Sequence, residues 1–128
     1  MERGMLEIIV SARLNYSEDA SKVIHAIKNI IDAEVNIEDN KVIAMANKKE
    51  ALRIIYKQAR AREILGVLKK VLLDNLRDDK TWLYLNRQAA YAGVIVVCDD
   101  EKESPLGPIK VEIRSDSLHS FIDWLTRY

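Results

Sequence analysis

Cys98 is the only cysteine among 128 residues, which excludes an intramolecular disulfide. The two histidines, His25 and His119, lie far apart in the chain and form no metal-ligand cluster. The spacing of neither histidine nor carboxylate marks a metal or cofactor site. No stretch reaches the roughly 18 consecutive apolar residues that span a bilayer. The opening Met1 to Met5 lacks the charged and apolar regions of a secretory signal. A cytoplasmic protein without membrane association is expected, with Cys98, at the end of an apolar run, as a buried structural thiol. Turn residues are scarce too. There are two prolines and four glycines, and the segment Ser104-Pro105-Leu106-Gly107-Pro108-Ile109 holds both prolines and one of the glycines.

What the chain does have is apolar residues at 48% and charged residues at 31%, the make-up of one globular domain over residues 1–128 with material for one core. The net charge is zero, yet the charges are not evenly placed. Residues 41–70 carry 9 basic and 2 acidic side chains, whereas residues 1–40 carry 4 and 8. A single basic quarter sits in an otherwise neutral or acidic chain.

Leu6, Ile8, Val10, Ala12 and Leu14 alternate with more polar residues, the period of a strand with one buried face. Ser17, followed by Glu18 and Asp19, reads as a helix N-cap with acidic residues in the first turn. Val23, Ile27 and Ile31 mark that helix's buried stripe. Val35 to Asn47 reads as a hairpin turning at Asp39-Asn40. From Lys48 to Arg77 the composition is helical throughout, but Leu52, Ile55 and Ala59 define a face rotated by roughly 170° from that of Ile64, Leu68 and Leu72 if about 100° per residue is carried through. One straight helix would bury opposite sides, so the spacing predicts a break between Ala59 and Glu63. Trp82 to Leu85, Val94 to Cys98 and Ile109 to Arg114 follow as strands. Leu118, Phe121, Ile122 and Leu125 mark a closing helix capped by Ser115 or Asp116. The order β-α-β-β-α-α-β-β-β-α predicts an α+β two-layer sandwich, a mainly antiparallel sheet with helices on one face.

Three groups of residues bear on function. Lys49, Arg53, Lys57 and Arg60 are spaced by 4, 4 and 3, so they line one helix face and can track a phosphate backbone. Lys48, Arg62, Lys69 and Lys70 would widen that patch. RNA is the partner this stripe suggests. Trp82 and Tyr84 point away from the core if Leu83 and Leu85 point into it, and they suggest an interface between two copies of the chain. Neighbouring Lys110, Glu112 and Arg114 make that face mixed in charge, a poor platform for single-stranded RNA. His119 and Asp123, four apart on the closing helix, lack a nucleophile and read as a surface pair.

The third group is "NRQAAYAG", Asn86 to Gly93, with "SPLGPI", Ser104 to Ile109. Ala89, Ala90 and Ala92 leave room for close backbone approach and Gly93 allows a tight turn, so the first segment reads as a structural corner. A pocket lined by Arg87, Gln88 and Tyr91 is the alternative, although the glycine pattern of a phosphate-binding loop is absent. Pro105, Gly107 and Pro108 preset a bend that aims Ile109 into its strand. Together with "IDWL", Ile122 to Leu125, these two segments resemble an archaeal group, uncharacterised protein family 0201, once labelled RNA-binding. That resemblance runs nearly the whole chain. It implies a fold like that of the ribosomal protein that binds 5S rRNA, no enzymatic activity, and no established site whose residues can be carried over.

Overall fold

The computed structural model describes residues 4–128. Six strands form one sheet: β1 (Leu6–Arg13), β2 (Val35–Glu38), β3 (Lys41–Ala46), β4 (Lys80–Leu85), β5 (Val97–Cys98) and β6 (Ile109–Ser115). Their order is β2-β3-β1-β6-β4-β5, and every neighbouring pair is antiparallel. The alternation read in the sequence sets the faces. Ile8, Val10 and Ala12 of β1, Val42 and Ala44 of β3, Leu83 and Leu85 of β4, and Val111 and Ile113 of β6 are buried on the inner side.

Helices cover that inner side, as an α+β sandwich requires. They are α1 (Ala20–Lys28), α2 (Arg53–Ala61), α3 (Leu65–Asp74), a short α4 (Arg87–Tyr91) and α5 (Leu118–Thr126). Val23 and Ile27 of α1, Ile55 and Ala59 of α2, Leu68 and Leu72 of α3, and Phe121, Ile122 and Leu125 of α5 close the core. Each large apolar side chain so buried contributes about 1.5–3 kcal/mol. No described helix is long and apolar enough to cross a membrane.

The break expected between Ala59 and Glu63 is present. The Ile64 N–H donates to the Ala59 carbonyl at 2.9 Å and the Glu63 N–H to that of Arg60 at 3.3 Å, the paired bonds of a Schellman C-cap. Glu63 takes the left-handed position, φ +57°, that glycine usually fills. The short helix α4 is absent from the order read in the sequence, and three smaller details differ as well. The cap of α1 is Asp19, whose carboxylate accepts from the Ser21 N–H at 2.9 Å, because Glu18 is drawn away to a tertiary partner. The cap position of α5 is Ser117, which makes no side-chain cap bond; the Ser115 hydroxyl instead accepts from the Ser117 N–H. Only Val97 and Cys98 of the expected Val94 to Cys98 strand pair with β4.

Candidate functional site

The four stripe cations do not share one fate. Lys49 lies on a turn of 3-10 helix, Lys49–Leu52, that leads into α2. Its ammonium sits 5.0 Å from the centre of the Trp124 ring. Arg53 is exposed and meets Asp32 at 3.2 Å, both side chains about three-fifths accessible, a pairing that water screens heavily. Lys57 is exposed, and among the described residues no carboxylate lies within ion-pair distance of it. Arg60 is committed elsewhere. Its guanidinium donates to the carbonyls of Tyr56 (3.0 Å), Leu125 (3.1 Å), Trp124 (3.3 Å) and Arg127 (2.5 Å), and lies 3.4 Å from the Tyr56 ring centre. A cation among the last carbonyls of α5 is where the helix dipole favours one. Arg60 therefore fastens α5 to α2.

Aromatic rings accompany these cations. Tyr56 and Trp124, both half-buried, stack at 4.9 Å with their planes 27° apart. Lys49, Trp124, Tyr56 and Arg60 thus form a cation–aromatic cluster across the α2–α5 junction. Of the residues expected to widen the patch, Lys48 and Lys69 are exposed. Lys70 pairs with Asp74 at 2.7 Å, and Arg62 donates to the Ile95 carbonyl.

The segments Asn86–Gly93 and Ser104–Ile109 meet at Arg87. The first segment is not a bare corner. Asn86 caps α4, its side-chain oxygen accepting from the Ala89 N–H at 2.8 Å. Gly93, φ +84°, ends it with the same paired bonds seen after α2, Val94 N–H to Ala89 and Gly93 N–H to Ala90. Two amides that carried no signal in the sequence hold this turn in place. Asn29 donates to the carbonyls of Ala90 and Tyr91, while Gln58 donates to that of Gly93 and accepts from the Ile95 N–H.

Arg87 is 4% exposed. Its Nη1 donates to both oxygens of Glu18 at 2.7 Å, its Nε to the Gly107 carbonyl at 3.0 Å, and its backbone N–H to the Ser104 hydroxyl at 3.2 Å. Nη2 is buried without a hydrogen-bond partner among the described residues. Burial alone would push the Glu18 carboxyl up. The hydrogen bonds from Arg87 and from the Asn15 backbone and side chain outweigh it and hold Glu18 below the usual glutamate value.

The second segment is a turn closed by the Gly107 N–H on the Ser104 carbonyl, 3.0 Å. Pro105 precedes Leu106 at φ +66° and Gly107 at φ +92°. A positive φ is strained for leucine, and Asn15 holds it there by donating to the Leu106 carbonyl at 3.0 Å. Arg87, Gln88, Tyr91 and Leu106 line a cleft of about 450 Å³ against the start of α1. Pro105 is exposed and Pro108 half-exposed beside it.

On the outer sheet face Trp82 lies opposite Glu112, and Tyr84 opposite Lys110. Both aromatics are half-buried. The Lys110 ammonium sits 5.5 Å from the Trp82 ring centre. Burial, with the charge of and a hydrogen bond to Glu101, raises the Tyr84 hydroxyl above its usual range. His119 is exposed, and Asp123 pairs with Arg127. Cys98 is buried, its thiol pushed up by burial and by Glu103, Asp100 and Asp99.

A family model described as RNA binding matches residues 7–115. A UPF0201 protein of Sulfurisphaera tokodaii is 39% identical over 128 residues, covering 95% of this chain and 88% of that one. Another, of Methanothermobacter thermautotrophicus, is 35% identical over 122 residues, with 94% and 91% covered. Among solved structures, the crystal structure of an uncharacterized UPF0201 protein matches with a TM-score of 0.81 at 28% identity, covering 95% and 94% of the two chains. The UPF0201 protein from Methanococcus jannaschii matches at 0.77 and 26%, covering 95% and 93%.

Proposed function

The chain belongs to the UPF0201 family of archaeal proteins, and from that premise we propose that it is a non-enzymatic RNA-contacting module. Its RNA surface is the helix face of Lys49, Arg53 and Lys57. The observation that carries this reading is the exposure of these three cations beside the stacked Tyr56 and Trp124 rings. Cations neutralise phosphates and release their counterions, and the Lys49 ammonium stands 5.0 Å from the Trp124 ring centre. Arg60 is left out of the RNA surface, since four of its five N–H donors are taken by carbonyls.

A homodimer through Trp82 and Tyr84 draws less support. Glu101 lies beside Tyr84 in the clefts of the outer face and Lys110 stands over Trp82, so neither ring is an open apolar anchor of the kind that dominates interfaces.

The test is a salt titration of binding to a fluorescent single-stranded RNA. Three phosphate contacts give a log–log slope of about −2, so affinity falls roughly tenfold or more between about 50 and 200 mM salt. Binding that is absent at the lower salt, or indifferent to salt, removes the proposal.

A further inference from the structure

On the opposite side of the sheet a second polar cleft, about 560 Å³, lies between the outer strand faces and the turn at Leu106, Gly107 and Pro108. Three cations line it from three adjacent strands: Arg13 of β1, Lys41 of β3 and Lys110 of β6. Arg13 and Lys41 are direct cross-strand partners. Like charges so placed destabilise a sheet, and an anion between or beside them would relieve that repulsion. Among the described residues neither has a carboxylate within ion-pair distance. Lys110 reaches Glu112 only at 3.6 Å, and Glu112 is held more closely by Arg114 at 3.1 Å.

Glu101 is the acidic group lining the cleft, so the three cations leave it with a net charge of +2. A phosphate monoester carries about −1.5 to −2 at neutral pH, whereas each internal phosphodiester of RNA carries a single charge. The cleft is also larger than an inorganic ion needs. The Tyr84 ring and the Leu106 and Pro108 side chains provide walls for an organic body, with Asn15 beside them.

The wall of the cleft is built rather than incidental. Leu106 holds a left-handed backbone because Asn15 and Arg87 grip the carbonyls of Leu106 and Gly107. A side chain at position 107 would stand 3.9 Å from Arg87 Nη2, the buried donor left without a partner. The Arg87 guanidinium, its charge matched by Glu18, therefore stands directly behind the loop as a fixed support. We propose that this cleft binds a phosphate monoester attached to a small organic group, the chemistry shared by a free mononucleotide and the 5′ end of an RNA.

The proposal is independent of the helix-face RNA surface, and its test separates the two. Isotope-labelled protein is titrated at low salt with AMP, adenosine, inorganic phosphate, and a short oligoribonucleotide with or without its 5′-phosphate, following amide resonances. AMP is expected to shift the amides of residues 11–13, 41, 106, 107, 109 and 110, and adenosine to shift none. Preference for the 5′-phosphorylated oligonucleotide over AMP identifies an RNA end as the source, and equal response a free nucleotide. An Arg13→Gln/Lys110→Gln variant should weaken AMP at least tenfold, while neutralising Lys49, Arg53 and Lys57 leaves it unchanged. Lys41→Glu, a single change at an exposed site, provides the same test should the double variant fold poorly. Equal shifts from AMP and adenosine, shifts confined to the helix face, or no shift at millimolar AMP overturn the assignment.

Discussion

Replacing Arg87 by methionine lowers unfolding free energy by about 3–5 kcal/mol, the cost of leaving a buried carboxylate without its cation. The Arg87 and Glu18 side chains are 5% and 13% accessible, so little water can take over. The variant also releases the Gly107 carbonyl and loosens the link between α4 and the proline turn. Lysine is no substitute, since one ammonium cannot supply the separate Nε and Nη1 donors that reach Gly107 and Glu18. Urea denaturation measures the loss. Methionine at both positions 18 and 87 should recover most of it, because the unpaired charge goes with its partner. A loss below about 1 kcal/mol in the single variant would mean that the junction does not hold the two segments together.

The same pair carries an acid dependence. The Glu18 value is lowered by folding from an ordinary 4.5, so the unfolded chain binds the proton more readily than the folded one. The stabilisation is complete above that ordinary value and is lost as pH falls through the folded one. Wild type should therefore lose stability below about pH 4.5 more steeply than the double methionine variant.

Arg60→Ala is the second large effect, and it separates two residues that look alike in the sequence. Hydrogen bonds from a charged donor are worth about 1.5–3 kcal/mol each, but this guanidinium is partly solvated, and a net loss of roughly 2–3 kcal/mol is expected. The damage should localise to α5, read as faster amide exchange from Leu118 to Thr126. Lys57→Gln should change stability by no more than about 0.5 kcal/mol. It should instead weaken RNA binding severalfold, whereas folded Arg60→Ala protein binds RNA as wild type does. The reverse pattern would place Arg60 on the RNA surface and the lysine in the framework.

Sheet, faces and helix break were legible because each leaves a periodic trace. Leu83 and Leu85 in, Trp82 and Tyr84 out, follows from the period of a strand alone. The phase flip between Ala59 and Ile64 exposed the break, although Glu63, doing in left-handed backbone what glycine usually does, carried no signal for its position. The short helix α4 leaves no such trace, because its five residues span fewer than two turns and repeat no apolar stripe. Its markers, Asn86 at one end and Gly93 at the other, were in view but read as a corner.

The stripe of four cations was legible only as spacing. Spacing places Arg60 beside Lys57, but its arm reaches carbonyls 64 to 67 residues further along, and no local pattern encodes such a contact. Arg87 and Glu18, 69 residues apart, are hidden for the same reason. So is Glu18's departure from the first turn of α1, which looked like an ordinary acidic helix start. The distinctive segments of the chain were visible as composition; what joins them was not.

The most direct test of the helix face as the RNA surface is fluorescence anisotropy of a labelled single-stranded RNA with wild type and a Lys49→Gln/Arg53→Gln/Lys57→Gln variant, at low and physiological salt. Loss of at least tenfold in affinity at low salt, with the salt dependence largely abolished and the fold intact by circular dichroism, is the expected result. Undiminished, still salt-sensitive binding by the variant would contradict it and move the RNA surface elsewhere on the molecule.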